Sequence, residues 1–341
     1  MGATNGTMRV MEARSPNIQD LRIAEHPIPQ PGSGEVLIRV RAASLNYRDL
    51  VVLKGIYKKD ITYPFVPLSD ACGEVVALGE AVTRFKVGDR VVPTFIQGWY
   101  SGLPIAERRA NWTLGWPRTG VLQEYVVVPA EDAVAAPANL SAVEAATLPI
   151  AAVTAWSALV ESGTKAGDWV LVEGTGGVAL FALQFAKAMG ARVALITSSD
   201  EKVARAQSLG ADCAINYRRT PDWESAVREA TGGRGIDVVV ETAGSTLPQA
   251  LSSLAFGGCV AVVGFLGGFE TRLNIVPLIE KMIRIRGIAV GARDQFEAMN
   301  RVIEAAAIKP VIGAVFSLEQ AADAFALMDS GGHFGKIVVE L

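Results

Sequence analysis

The sequence predicts an α/β protein of two units, a β-rich barrel-like domain and a doubly wound parallel sheet. Three observations carry this. Residues 1–130 hold short runs of alternating polarity between Gly and Pro turns. From Trp169 onward, apolar runs alternate with helical patterns. Those runs are apolar almost throughout, as strands buried on both faces must be. Finally, 341 residues, 50% of them hydrophobic, supply core for about two domains.

The first strand, 36–40, alternates behind the turn Pro31-Gly32-Ser33-Gly34. Strands at 73–78 and 90–93 follow, the second after a Gly88-Asp89 turn, and another at 125–128 is closed by Pro129. Ser141 with Glu144 forms a capping box that opens a helix. Pro149 interrupts it, and the helical pattern resumes over 151–160. Strands are then expected at 169–173, 192–197, 213–215, 236–241 and 259–264. Helices are expected at 177–189, 200–209, 222–231 and 247–254. Helices at 295–307 and 318–328, the latter capped by Ser317 with Gln320, precede a strand at 336–340.

Composition excludes several classes. Lys and Arg total 32 against 35 Asp and Glu, so no basic excess exists to neutralise nucleic-acid phosphates. The balance is too mild for disorder. Two His and three Cys occur: His26, His333, Cys72, Cys213 and Cys259. None lie at ligand spacing, so a structural zinc site is not expected. An odd number of Cys fits a reduced, cytoplasmic protein with buried thiols. Residues 1–7 lack the basic and apolar regions of a signal peptide, and Met8 is an alternative start. The apolar stretch 142–160 is broken by Glu144, Pro149 and Thr154, so no membrane span is expected.

The most informative stretch runs from Val170 to Ala179. It reads strand, G-x-G-x-x-A, then apolar helix. Gly174 allows a tight turn, Gly176 close approach of backbone to a pyrophosphate, and Ala179 close helix–strand packing. Phosphates would sit on the helix N-terminus, over Gly177 and Val178. The motif alone also fits plain packing; the following βα units make it a dinucleotide site. NAD sites usually end the next strand in Asp or Glu. Here that strand ends in Thr197-Ser198-Ser199, with Asp200 at the start of a helix and Lys202 behind it. Hydroxyls and a cation suit a 2′-phosphate. NADP(H) is therefore expected over NAD(H), although Lys202 also fits a solvated helix face.

These stretches resemble the medium-chain dehydrogenase/reductase superfamily over essentially the whole chain. The matching segments are Ser44-Leu45-Asn46-Tyr47-Arg48-Asp49-Leu50, Gly73 to Gly79, Phe85 to Val91, Leu148 to Trp156, Gly174 to Lys187 and His333 to Val338. The resemblance implies a GroES-like catalytic domain formed by 1–130 and 292–341, with a Rossmann domain at 131–291 inserted into it. Nicotinamide and substrate would meet in the cleft between them. Zinc-dependent members carry Cys at the position of Asn46, His-Glu at Ser69-Asp70 and a third ligand near Ile150. The four-Cys lobe is also missing; its place, 94–120, holds Trp99, Trp112 and Trp116. The chain is thus similar to the zinc-free branch, which includes quinone oxidoreductases and enoyl or enal reductases.

Without zinc, alcohol oxidation lacks its main electrophile. A conjugated acceptor leaves charge on an enolate oxygen that hydrogen bonds can stabilise, and then takes a proton. By position, Tyr57 matches the proton-donating tyrosine of zinc-free enoyl reductases; a plain aromatic wall is the other reading. Asn46 would donate to a carbonyl or to the nicotinamide ribose, or else stabilise its turn. Asp49 would orient a neighbour, and Asp70 replaces the family Glu. The resemblance places Lys202 and Tyr217 by the 2′-phosphate and adenine. Thr154, Ala243-Gly244 and Gly264-Phe265-Leu266 would line the nicotinamide, with Phe334 and Gly335 closing that end. Phe265 and Phe334 fit a core role equally well, as do the tryptophans of 95–116, which otherwise suit a bulky acceptor.

Residues 283–288 alternate like an exposed edge strand, and its counterpart joins two sheets in dimers of the superfamily, so a homodimer is expected. The sequence therefore predicts a zinc-independent, NADPH-dependent reductase of quinones or α,β-unsaturated carbonyls. The alternatives are a carbonyl or alcohol dehydrogenase working without zinc, and a catalytically weak NADP(H)-binding protein.

Overall fold

The computed structural model describes residues 6–56 and 60–341. It divides into two units, one running through Ile150 and again over Ala292–Leu341, the other Ala151–Gly291.

The first unit opens with β1 (Thr7–Ala13) and β2 (Leu21–Pro27), an antiparallel pair. There follow β3 (Glu35–Ser44), β4 (Asp70–Leu78), β5 (Arg90–Pro93), β6 (Tyr125–Pro129) and β7 (Ala133–Ala135). β3 is the organising strand. One edge pairs with β4; the other is shared between β6 over residues 35–39 and a later strand over 42–44. The register with β4 shifts between Val40 and Ala42, where the neighbour on the opposite edge changes. A strand that bends and changes partners in this way curls a sheet toward a barrel. Leu37, Ile38, Leu45, Leu50 and Leu53 fill the interior.

The second unit holds β8 (Trp169–Glu173), β9 (Arg192–Thr197), β10 (Cys213–Asn216), β11 (Ile236–Glu241), β12 (Leu254–Val262) and β13 (Arg284–Gly287). All are parallel, in the order β10-β9-β8-β11-β12-β13. The chain winds outward from β8 to β10, then returns to β8's other side with β11. The C-terminal ends of β8 and β11 therefore flank the point where strand order reverses, where open α/β sheets bind ligands. The chain re-enters the first unit to give β14 (Ile312–Ser317) and β15 (Lys336–Glu340), the strand that joins β3.

Several expectations shift. The first domain boundary falls at Ile150, not near residue 130. β7 pairs with β5, and the helix Ala142–Ala145 packs on β3 and β4, so 131–150 stay with the first unit. The strand expected at 259–264 starts earlier, at Leu254, and runs through Gly257-Gly258. Pro149 lies in a π-helical turn, Leu148–Ala152, that leads into the helix Val153–Ser162. The Ser141–Glu144 box forms in both directions, whereas at Ser317 only the backbone N–H bond to Gln320 Oε1 is made, and a 3-10 turn, Leu318–Gln320, precedes the helix Ala321–Ser330.

Candidate functional site

In the second unit the glycine-rich turn joins β8 to the helix Gly177–Ala188. Gly174 has φ +83°, a left-handed conformation that suits glycine. Gly176 is the N-cap, extended, with no side chain to cap the helix. The N–H groups of Gly177, Val178 and Ala179 therefore lack intrahelical partners. A Cβ on Gly174 or Gly176 would meet nothing within 4 Å, so neither glycine is there to relieve crowding. Open space beside unpaired donors fits a pyrophosphate.

The neighbouring residues gather around this turn through backbone ties. Gly174 N–H donates to Ile196 O at the end of β9, and Tyr217 N–H to Thr197 O. Ser199 caps the helix Asp200–Ser208 by accepting from Lys202 N–H. The carboxylate of Asp200 accepts from Asn216 Nδ2 (2.8 Å) and pairs with Arg219 (2.7 Å), which hold its pKa below the usual range. This acid is thus already occupied by Arg219, and Arg218 adds exposed positive charge at the end of β10. On the other side, Leu266 N–H donates to Thr242 O and Gly267 N–H to Ala243 O, tying the 264–268 loop to the loop after β11. A Cβ on Gly264 would fall 2.3 Å from Thr242 O, so that close approach requires glycine. Phe265 packs against Phe269, and Leu266 is exposed. Thr154 is buried on the helix Val153–Ser162, which packs on β11 and β12. Substituting Lys202 with alanine is expected to weaken NADPH by about tenfold or more, as loss of a charge-assisted contact does. NADH should change little in the same titration.

In the first unit Asn46, Asp49, Ser69, Asp70 and Ile150 come together with a residue the sequence did not single out, Lys336. Asn46 is the N-cap of the helix Tyr47–Leu53, and its backbone N–H donates to Asp49 Oδ2. Its side chain is not spent on the turn: Oδ1 accepts from Lys336 Nζ at 2.7 Å. Lys336 also donates to Leu45 O at 2.6 Å. Asn46 Nδ2 is buried without a full hydrogen bond, although the amide lies near enough to Asp70 to lower its pKa. Burial outweighs this and drives Asp70 up to about 7, against the attraction of Lys336. Burial also lowers the Lys336 pKa, opposed by Asp70 and Asp49. Asp70 Oδ2 accepts from Ile150 N–H at 3.1 Å. Ser69 Oγ lies 2.6 Å from Asp49 Oδ1 and 3.0 Å from Leu114 O, and accepts from Arg48 at 2.8 Å.

Tyr57 lies outside the described residues. Phe334 is buried, and Gly335 has φ +87° with a Cβ position 2.2 Å from Val311 O, so packing alone demands this glycine. The tryptophans of 94–120 are held locally. Trp112 lies beneath Arg108 (3.9 Å) and Arg118 (4.5 Å), Trp99 donates to Gly102 O, and Trp116 O accepts from Arg48.

Residues 32–138 match the alcohol dehydrogenase GroES-like domain, and 177–305 the zinc-binding dehydrogenase domain. A zinc-type alcohol dehydrogenase-like protein of Schizosaccharomyces pombe is 43% identical over 330 residues, 94% of this chain and 95% of that one. The chain belongs to the zinc-type alcohol dehydrogenase-like members of the medium-chain dehydrogenase/reductase superfamily. A crystal structure from Sinorhizobium meliloti 1021, assigned provisionally as an alcohol dehydrogenase, is 44% identical with a TM-score of 0.93, covering 100% of both chains. A 2-octenoyl-CoA carboxylase reductase, CinF, solved with NADP and 2-octenoyl-CoA, is 26% identical with a TM-score of 0.88, covering 99% of this chain and 88% of that one. An NAD-dependent alcohol dehydrogenase is also among the matched structures. The family is one of oxidoreductases that use a nicotinamide cofactor, and the turn at 174–179 has the open space and free donors such a cofactor needs.

The family's zinc does not fit this chain's residues. Ile150 offers no side-chain donor, Ser69 Oγ already has three partners, and Asn46 Oδ1 faces an ammonium. Among the described residues no cluster of three His, Cys, Asp or Glu could hold a metal.

Proposed function

We propose that the chain is a zinc-independent reductase that uses NADPH to reduce a quinone or an α,β-unsaturated carbonyl. The observation that carries this is the polar set at Asn46, Ser69 and Ile150, whose atoms are unsuited to a metal but leave one amide N–H group without a full partner. The bound cofactor supplies hydride. Asn46 Nδ2 donates to the acceptor's carbonyl oxygen as enolate charge develops there. Lys336 holds that amide with its N–H groups turned away from the ammonium. Tyr57, or water, delivers the proton. The enoyl thioester named with CinF supports an activated alkene as substrate; the cations near Lys202 support NADPH.

The alcohol dehydrogenase names of the relatives favour a second reading, carbonyl reduction without zinc. One experiment separates these. Metal-stripped protein is given NADPH and, in turn, a quinone, an enal and a ketone, with absorbance of the reduced nicotinamide followed. Consumption with the quinone or enal is expected; consumption only with the ketone supports the second reading. Tight NADPH binding with no turnover supports a weakly catalytic binding protein. Tyr57→Phe should slow the productive acceptor, and unchanged turnover assigns the proton to water.

We also place the protein in the cytoplasm as a homodimer. Its three cysteines are free. No helix among the described residues is long and apolar enough to cross a membrane. β13 is exposed along its length at the edge of its sheet, beside exposed Ile279 and Met282.

A further inference from the structure

Two acids used by no step above sit at the switch point of the second unit. Glu173 ends β8 directly before Gly174, and Glu241 ends the adjacent β11. Both are buried, at 3% and 0% exposure. Glu173 Oε2 accepts from Thr246 Oγ1 at 2.9 Å and from Thr242 N–H at 3.4 Å. Glu241 Oε1 accepts from Gly244 N–H (2.6 Å) and Ala243 N–H (3.1 Å), and lies 2.8 Å from Thr246 Oγ1. Thr246 has one hydroxyl proton and can serve only one carboxyl at a time.

Glu173 Oε1 and Glu241 Oε2 are buried with no donor. The two carboxyls converge on the same hydroxyl, Thr246 Oγ1, at 2.9 and 2.8 Å. No Lys, Arg or His makes a hydrogen bond or ion pair with either, among the described residues. Two buried carboxylates that close on one hydroxyl without a cation repel each other and lose their hydration. One proton between them supplies the missing donor and removes one of the two charges.

We propose that Glu173 and Glu241 form a carboxyl pair sharing one proton, and that this proton positions the two loops that receive the nicotinamide cofactor. Both are positioning residues. Glu173 anchors the start of the glycine turn, Glu241 folds the 242–246 loop over its own carboxylate, and the 264–268 loop rests on that loop. The inference rests on the reading of 174–179 as the cofactor turn. Burial and the neighbouring Glu241 push the Glu173 acid up to about 8. Glu241 is the titratable group acting on it; Thr242 and Thr246 are its other polar contacts.

The test measures NADPH affinity of the full-length protein from neutral to alkaline pH, with Glu173→Gln and Glu241→Gln alongside. The wild type should lose about fivefold in affinity per pH unit just above 8, as one linked proton requires. Glu173→Gln keeps a donor without a titrating proton, so its affinity should stay flat; Glu173→Ala should bind weakly throughout. An alkaline loss that persists in Glu173→Gln, or none in the wild type, overturns the proposal.

Melting temperature reads the pair without cofactor. Glu173 is raised above its ordinary pKa, so its contribution to stability is lost between about 4.5 and about 8. The melting temperature of Glu173→Gln relative to wild type should rise across that window and then level; a constant difference counts against a shared proton. If both Gln variants fail to fold, infrared spectroscopy of the wild type must show a protonated carboxyl lost near pH 8, distinct from the Asp70 loss near 7. Lack of that band overturns the pair. Failure of the wild type to bind NADPH at any pH, with the melting and infrared signatures intact, instead moves the cofactor away from this turn.

Discussion

Gly176→Asp is expected to cost at least a hundredfold in cofactor affinity while the fold is kept or slightly strengthened. Gly176 sits at φ −78°, ψ −177°, backbone that any residue adopts, and a Cβ there touches nothing within 4 Å. It is the N-cap of a 12-residue helix that has no capping side chain. Aspartate is a strong N-cap, worth up to about 1 kcal/mol over glycine's own performance. The same carboxylate would take the N–H groups of the first turn and repel a pyrophosphate. A hundredfold loss is about 2.7 kcal/mol. Calorimetric titration with NADPH and thermal melting together read both effects. A variant that is destabilised would show the glycine to be structural; one that binds normally would move the phosphates elsewhere.

Lys336→Met is expected to cost about 3–5 kcal/mol of stability, the usual penalty for orphaning a buried charge. The ammonium is 3% exposed and is the donor to both Leu45 O and Asn46 Oδ1. Its loss leaves Asp49 and Asp70 buried without that attraction. The size should depend on pH. Asp70 has its pKa raised from 3.8 to about 7, so its contribution is present below 3.8 and lost as pH rises toward 7. Lys336 resists that rise, so without it Asp70 is pushed higher still and the penalty grows above neutrality. Asp70→Asn combined with Lys336→Met should recover a large part, with a coupling of about 1–3 kcal/mol. Strict additivity in urea unfolding would deny that the two groups act on each other. Turnover should fall in every variant lacking Lys336, because Asn46 is no longer oriented.

The parts that sequence reading reached are those where one physical demand acts on neighbouring residues. β8, β9 and β11 fall on their expected bounds because a strand buried on both faces must be apolar throughout. The glycine turn is legible for the same local reason. β2 and β14 escaped notice because they are half-exposed: Leu21 alone is buried in β2, and β14 alternates around Gly313. The boundary at Ile150 depends on β7 finding β5, which nothing in 131–150 announces. At the site, Asn46, Ser69 and Ile150 could be read singly, but Lys336 joins them across 290 residues of chain from Asn46. A lysine opening an otherwise apolar strand, Lys336-Ile337-Val338-Val339, was the available signal. The Glu173–Glu241 pair hid in the same way, as two acids closing separate apolar strands.

The position of β15 in chain order has a consequence for biosynthesis. Asp49 and Asp70 leave the ribosome early, with β3 and β4, while Lys336 follows the whole second unit. During that interval the nascent first unit has neither the strand that completes β3's edge nor the cation between its acids. Such long-range closure is slow and leaves surface exposed to association. The inserted unit, whose strands all lie within Ala151–Gly291, can fold meanwhile. Translation stalled before Lys336 would therefore leave the first unit unfinished, a target for chaperones and proteases.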